Sequence, residues 1–366
     1  MSACDAFVKS FYKQCCNHSE NAQEDKSKHI ATHHLVEVFE NRIKPKFLQE
    51  THHLLNPRAK GRYADPEKDS EVSINQAWKN DEDGYNSVDI IEWAVDSGTE
   101  SSVKEIFSKV IPVILLIADD YDVEYKRRGV LAMHKLITKV PSTFLLMSGV
   151  EGVFIEVLFK CLKYLSDDRD LGLLEVTYPC LIDLIVKTKK PESKERIILL
   201  EKVLTHGVLL GNRHAGHKPA FLLVLLQPVS TLYKEIGLVG TRYLKEVLSI
   251  ICHGLSVLPH ANGVNTDRLI RLNKLAAETL GCILTECWPR IPKYNGMILR
   301  ALAEAWLVYK DLQGEETKAI CNLLQKDYQI LDAICHDLLK PNIDALLQFN
   351  NSLYQLVSSS DLQTVK

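Results

Sequence analysis

The residues most suited to chemistry are histidines and cysteines near the N-terminus. Cys15, Cys16 and His18 precede His29, His33 and His34. His29 and His33 stand four apart, which on a helix places both rings on one face, where a metal could bind. A metalloprotease helix also needs a glutamate base beside the first histidine, and Ile30-Ala31-Thr32 occupies the gap instead. The expected reading is a polar helix face with no metal. A second group, His206, His214 and His217, lies near Arg213 and Lys218. An anion-binding loop is one reading; a solvated connector is the favoured one. The chain contains no Cys-x-x-Cys pair, nucleophile elbow, P-loop, dinucleotide fingerprint or kinase signature. Adjacent acids such as Asp167-Asp168 fall at helix breaks and read as caps. No catalytic residue, cofactor or metal is assigned, and an enzyme is not expected.

The elements that would position such residues are helices. Of the 366 residues 46% are hydrophobic and 25% charged, an ordinary globular balance. With 17 Gly and 13 Pro, the chain has too few turn formers for an all-β fold. The formal net charge of -3 argues against a strongly basic nucleic-acid binder. Cys161, Cys180, Cys252, Cys282, Cys321 and Cys335 sit inside apolar segments, as reduced, buried thiols do. The N-terminus lacks the apolar run of a signal peptide, and the longest apolar runs fall short of the ~20 residues of a bilayer span. A cytoplasmic and nuclear protein with no membrane contact is expected.

Three regions are expected. Residues 1–56 carry N-terminal helices; in the second, Ile30, His34, Val38, Phe39 and Ile43 recur at helical spacing, and Pro45 bends or breaks it. Residues 57–100 form an acidic loop or linker with a short helix. Within 65–100, eleven acids face only Lys68 and Lys79, and Trp78 and Trp93 lie among them. These aromatics could pack onto the neighbouring body, the favoured reading, or dock on a partner. Residues 1–100 hold 12 basic and 18 acidic residues, and the remainder 32 and 29. An acidic head thus joins a slightly basic body at 101–366. There the periodicity predicts helices at about 101–118, 123–139, 149–165, 168–188, 192–210 and 219–236. Further helices are expected at about 239–258, 266–287, 293–312, 315–336 and 339–358.

Helix pairs recurring every ~40–47 residues predict an all-α HEAT/armadillo-like α-solenoid of antiparallel helix pairs with no sheet. One unit is written out clearly. Pro112 lies within a first helix, Asp119-Asp120-Tyr121-Asp122 makes the turn, and Glu124–Met133 opens the second helix. The proline should bend the first helix, the acids should cap the second, and Gly129 should let the two approach closely.

The same residues carry a family resemblance. The run Asp119-Asp120-Tyr121-Asp122 to Arg127-Arg128-Gly129-Val130 is followed by His134-Lys135-Leu136. Ser148-Gly149-Val150-Glu151-Gly152-Val153-Phe154 comes next, with Leu158-Phe159 and Leu162-Lys163-Tyr164-Leu165. This order resembles the Tel-two-interacting protein two (Tti-two) family. A second block is similar: Cys287-Trp288-Pro289-Arg290-Ile291, Ile298-Leu299-Arg300 and Trp306. Residues 1–100 carry no motif matched to it. The chain is short for the family, so a reduced N-terminal module is expected. The resemblance implies a non-catalytic subunit of a Triple-T co-chaperone complex with Tti-one-like and Tel-two-like helical-repeat proteins. Through the ninety-kilodalton heat-shock chaperone, that complex supports phosphatidylinositol-3-kinase-related kinases; an ASTRA assembly links it to chromatin and telomeres. Direct nucleic-acid binding is not expected.

The motif positions Asp119, Asp120, Tyr121, Arg127, Arg128, Gly129, Trp288, Pro289, Arg290 and Trp306 are thus candidates for partner contact, with Trp78 and Trp93 as a docking segment. Each has a plainer role. The acids are expected as turn and cap residues, and Gly149 and Gly152 as a tight inter-helix turn. Trp288 and Trp306 are expected in the core. Arg127 and Arg128 could line the solenoid's inner face or pair with the acidic turn. A generic HEAT adaptor and a helical-repeat nucleic-acid binder stand as alternatives, the latter resting on Lys126-Arg127-Arg128 and the basic stretch 187–196.

Overall fold

The computed structural model describes residues 3–15, 26–47, 77–80, 85–259 and 266–357. Among them there are helices and turns and no β-strand. The chain is all-α, as the periodicity predicts. It divides into two compact units, one of Met1–Cys161 with Gly172–Thr188, the other of Leu162–Leu171 with Lys189–Lys366. Cys16, His18 and the acidic residues at 65–71 and 81–83 lie outside the described residues.

In the first unit, α1 (Ala3–Cys15) buries Phe7 and Phe11, one turn apart. Helices α2 (Lys26–His33), α3 (Leu35–Val38) and α4 (Lys44–Phe47) form one succession, with a π turn at Phe39–Ile43. Ile30, Leu35, Val38, Phe39 and Ile43 are buried along it. Pro45 falls inside α4 and does not end the succession. Proline has no N–H to donate into the preceding turn, and the wider π turn accompanies that gap. Helix α5 (Ser87–Ser97) opens on a capping box in which Asn86 and Asp89 satisfy each other's backbone N–H groups.

Helices α6 (Glu100–Ala118) and α7 (Val123–Lys139) form the hairpin expected from the sequence. Val103, Ile106, Phe107, Val110, Ile114 and Ile117 give α6 a buried stripe at helical spacing. α8 (Ser142–Ser148) was not expected; it follows Pro141 and stops at Gly149, whose φ of 67° is left-handed. α9 (Glu151–Cys161) and α10 (Asp170–Thr188) complete the unit. Contacts of α7 run in one direction along both neighbours: Arg128 and Lys135 meet Asp89 and Asp96 of α5, while His134 and Lys187 join α7 to α10. α5, α7 and α10 therefore lie parallel in one row, and α6 runs antiparallel to α7.

The second unit repeats this plan. α11 (Lys194–Lys202) passes through a π turn at Val203–Leu209 into α12 (Leu210–Ala215). α13 (Pro219–Leu226) and α14 (Val229–Ile236) divide at Pro228, where one continuous helix was expected. α15 (Leu244–Ser256), α16 (Thr266–Glu286), α17 (Asn295–Tyr309) and α18 (Glu315–Cys335) follow, then α19 (Lys340–Phe349) and α20 (Tyr354–Val357). Pro219–Ser256 is long and apolar enough to cross a bilayer by length and composition alone. The breaks at Pro228 and Gly237 interrupt it, and Phe221–Leu226 are all buried in the unit. Asn273, fully buried on α16, ties three helices together. Its amide donates to the Gly254 and Val257 carbonyls of α15's end, and its carbonyl accepts from the Tyr309 hydroxyl at 2.5 Å.

The hairpin depends on Gly129. A Cβ there would stand 2.4 Å from the Ala118 backbone nitrogen and 2.8 Å from the Ile117 carbonyl carbon. Backbone cannot yield as a side chain can. Gly129→Ala is expected to destabilise by about 2 kcal/mol or more despite the ~1 kcal/mol helix-propensity gain. Gly152→Ala, whose Cβ would enter open space, is expected to leave the melting temperature unchanged or raised. Thermal denaturation of the two variants checks the pair.

Asp327 on α18 is only 2% exposed, faces Gly281 of α16, and has one carboxyl oxygen without a hydrogen-bond partner. Burial pushes its carboxyl up to about 8. Between the ordinary value of 3.8 and about 8, the folded chain holds a proton that the unfolded chain releases. Its contribution to stability therefore falls as pH rises through that window, on the order of a few kcal/mol by neutral pH. Asp327→Asn is expected to remove this dependence and to raise stability most near pH 8. Urea unfolding of both proteins across pH 5–8 checks it, with ~1.4 kcal/mol per pH unit as the steepest slope.

Candidate functional site

The motif turn between α6 and α7 is built from its own residues upward. Asp119 ends α6, its N–H returning to the Leu115 carbonyl at 3.0 Å. Asp122 starts α7, its carboxylate accepting from the Glu124 N–H at 3.0 Å. Asp120 is buried, and one of its oxygens accepts from the Asp122 N–H and from the Lys79 ammonium, each at 2.8 Å. The next cation along, Lys126, is buried as well and donates to the Ala118 carbonyl at 2.8 Å. A positive charge at the carbonyl end of α6 is favourable for the helix dipole.

Lys79 is the centre of this arrangement, and the sequence reading gave it no role. Its ammonium lies 4.3 Å from the Tyr121 ring centroid, 4.7 Å from Tyr125 and 5.0 Å from Trp78. A cation among three ring faces and one carboxylate combines cation–π attraction with an ion pair shielded from water. Trp78 is buried, stacked on Phe47 at 5.4 Å and edge-on to Tyr125 at 5.3 Å. The available signal was that Lys79 directly follows a tryptophan and is one of two bases among eleven acids.

Arg128 pairs with helix α5, not with the acidic turn. It grips both oxygens of Glu92 at 2.9 Å and one oxygen of Asp89 at 2.6 Å. Burial opposes its charge, but the hydrogen bonds and charges of Glu92 and Asp89 outweigh that and hold its pKa above the usual arginine value. Arg127 instead forms a two-bond pair with Glu124 on its own helix. Trp93 donates to the Ser27 hydroxyl at 2.8 Å and meets Phe7 edge-on. Both tryptophans of the acidic segment therefore pack onto the unit's own body, the favoured reading.

The motif positions separate by exposure. Asp120, Gly129 and Trp306 are buried, the last at 5% exposure. Tyr121 is 75% exposed. Trp288 is 60% exposed, which corrects the expectation that it sits in the core. It opens a 3-10 corner, Trp288–Tyr294, where prolines at 289 and 292 prevent a regular helix from carrying the indole inward. Pro289 and Arg290 are exposed beside it.

Chemistry in the described residues is sparse. No group of three or more His, Cys, Asp or Glu side chains among them is arranged to hold a metal. His29 and His33 face each other at 5.1 Å between centroids, and His34 pairs with Glu37. The expected histidine loop is helical instead, with His206 in the π turn and His214 in α12; Lys218 beyond it donates to the Ser166 carbonyl and covers Phe221. The described cysteines are free thiols, and burial pushes Cys161 and Cys252 up to about 11 and about 12, away from the nucleophilic thiolate.

A family model described as the Tti2 family matches residues 4–260. The chain belongs to the Tti2 family. The match begins in α1, so the Tti2 resemblance extends over N-terminal helices in which no motif was recognised. It ends before Trp288, so the second block lies beyond it. TELO2-interacting protein 2 of Mus musculus is 27% identical over 227 residues, 58% of this chain and 40% of that protein. The Rattus norvegicus protein of the same name matches to the same extent. That of Homo sapiens is 23% identical over 241 residues, 62% of this chain and 42% of the relative. The aligned region thus spans under half the length of these relatives. No solved structure matches the chain significantly.

The Arg128 cluster generates a stability prediction. Arg128→Ala would leave Asp89 and Glu92 close together and partly buried, and is expected to cost about 3 kcal/mol. Arg128→Lys should recover only part, because an ammonium cannot reproduce the planar two-oxygen grip. Urea unfolding of the three proteins ranks them.

Proposed function

We propose that the chain is a non-catalytic scaffold subunit of a Triple-T-type co-chaperone complex, acting in cytoplasm and nucleus. Its direct partners are helical-repeat proteins of the Tel-two and Tti-one kinds. Through them it supports the maturation of phosphatidylinositol-3-kinase-related kinases with the ninety-kilodalton heat-shock chaperone, and an ASTRA-type assembly at chromatin is a further setting. The observation that carries this reading is membership of the Tti2 family together with relatives named for interaction with TELO2. Stacked helix pairs suit the role, since each pair adds surface without adding a separate core. Of the family-motif positions, Asp119, Tyr121, Arg127, Trp288, Pro289 and Arg290 are accessible enough to touch a partner.

Affinity purification of the tagged full chain, read by mass spectrometry, is expected to recover Tel-two-like and Tti-one-like proteins in stoichiometric amounts. Rapid depletion is expected to lower several of these kinases together. Recovery of the chain alone, with kinase levels unchanged, would contradict the proposal.

A further inference from the structure

Within the second unit, three helices of one row end at the same edge. Ser230 of α14 lies against Cys282 of α16 and Tyr233 lies near Cys287 just beyond its end, and Lys274 and Gly281 of α16 lie against Glu316 and Asp327 of α18. In each pair the contacts advance in the same direction, so α14, α16 and α18 are parallel. Each is followed by a 3-10 corner: Gly237–Tyr243, Trp288–Tyr294 and His336–Leu338. The first and third turn in the same way, with φ, ψ of 54°, -136° at Gly237 and 42°, -120° at His336. Holding a histidine at positive φ costs energy, so this corner is imposed by the packing around it.

Each corner presents one large apolar side chain to solvent. Leu238, Trp288 and Leu338 are each 60% exposed. A cation follows each within four residues: Arg242, Arg290 and Lys340. Arg242 is itself exposed and pairs at 3.3 Å with Glu201, whose side chain is mostly buried, while Lys340 pairs with exposed Asp337. A pair exposed on both sides, as Lys340–Asp337 is, is worth little and exchanges readily. Adjacent packed helices lie about 10 Å apart, so the three apolar side chains form a line about 20 Å long.

We propose that this edge is a docking surface for an acidic amphipathic helix from another polypeptide. Three apolar residues with a cation beside each ask for apolar side chains about 10 Å apart, flanked by carboxylates. On a helix, 10 Å is about seven residues, so the partner carries one apolar residue per heptad along one face. No strand edge is available at these corners to pair with an extended peptide, whereas a helix brings its backbone hydrogen bonds with it. Trp288 is the central anchor, and its indole supplies the largest area in the line. The surface goes beyond the proposed complex and does not depend on it.

The test uses the full chain and a fluorescein-labelled acidic peptide of three heptads, with leucine at one position of each heptad and glutamate and alanine elsewhere. Fluorescence anisotropy is expected to show saturable binding, weakened at least ~10-fold by the double change Trp288→Ala with Arg290→Glu. Leu238→Glu, at a different corner, should weaken it independently. All three side chains are exposed, so the circular dichroism spectrum and melting temperature should be unchanged. A leucine-free glutamate peptide and a DNA duplex serve as plain polyanions and should bind more weakly. Absent binding, equal binding by the variants, or equal binding of either polyanion would overturn the proposal.

Discussion

The hairpin of α6 and α7 rests on one close approach: the Cα of Gly129 against the backbone of Ala118 and Ile117. Everything near the motif turn follows from it. With the helices this close, four residues suffice to reverse the chain, and Lys126 can reach across to the Ala118 carbonyl. The short turn places Asp120 inward, where a buried carboxylate requires a cation, and Lys79 provides it. Gly129 also fixes the rotation of α7, which aims the preceding Arg128 at Asp89 and Glu92 of α5. The acidic segment is joined to the body by these two cationic contacts.

This arrangement changes what the motif means. The order Asp-Asp-Tyr-Asp to Arg-Gly is mostly the specification of a hairpin, since Asp120, Asp122, Arg128 and Gly129 are engaged by their own unit. Tyr121 is the exception, with one ring face over Lys79 and the rest in solvent. The scaffold role proposed above needs both kinds of residue: internal contacts that fix each helix pair, and outward side chains free to meet a partner. In the second unit, three of the outward kind stand at the corners, where 3-10 turns, with prolines at the middle one, keep Leu238, Trp288 and Leu338 out of the core.

Much of the fold was legible because its punctuation is local. The stretch 123–139 was bounded correctly, with Asp122 as its cap, and 315–336 to within one residue. Local signals also placed the turn and the role of Gly129. What stayed hidden is long-range or irregular. The partners of Arg128 lie 36 and 39 residues away, and Lys79 reaches Asp120 across 41, so no spacing rule exposes them. Helix α8 was too short to show a period, and the π turns at Phe39–Ile43 and Val203–Leu209 leave the apolar pattern almost unchanged. Trp288 was misplaced because an aromatic beside a helical stripe resembles a core residue until Pro289 and Pro292 are given their weight.

Hydrogen–deuterium exchange of the full chain, alone and with Tel-two-like and Tti-one-like partners, addresses most directly the claim that the motif builds the chain's own hairpin while exposed side chains meet partners. The account predicts slow exchange across Lys126–Met133 in the free chain, unchanged by the partners, with new protection confined to outward-facing segments. Rapid exchange there in the free chain, slowed only on assembly, would contradict it and make the motif a partner-ordered site.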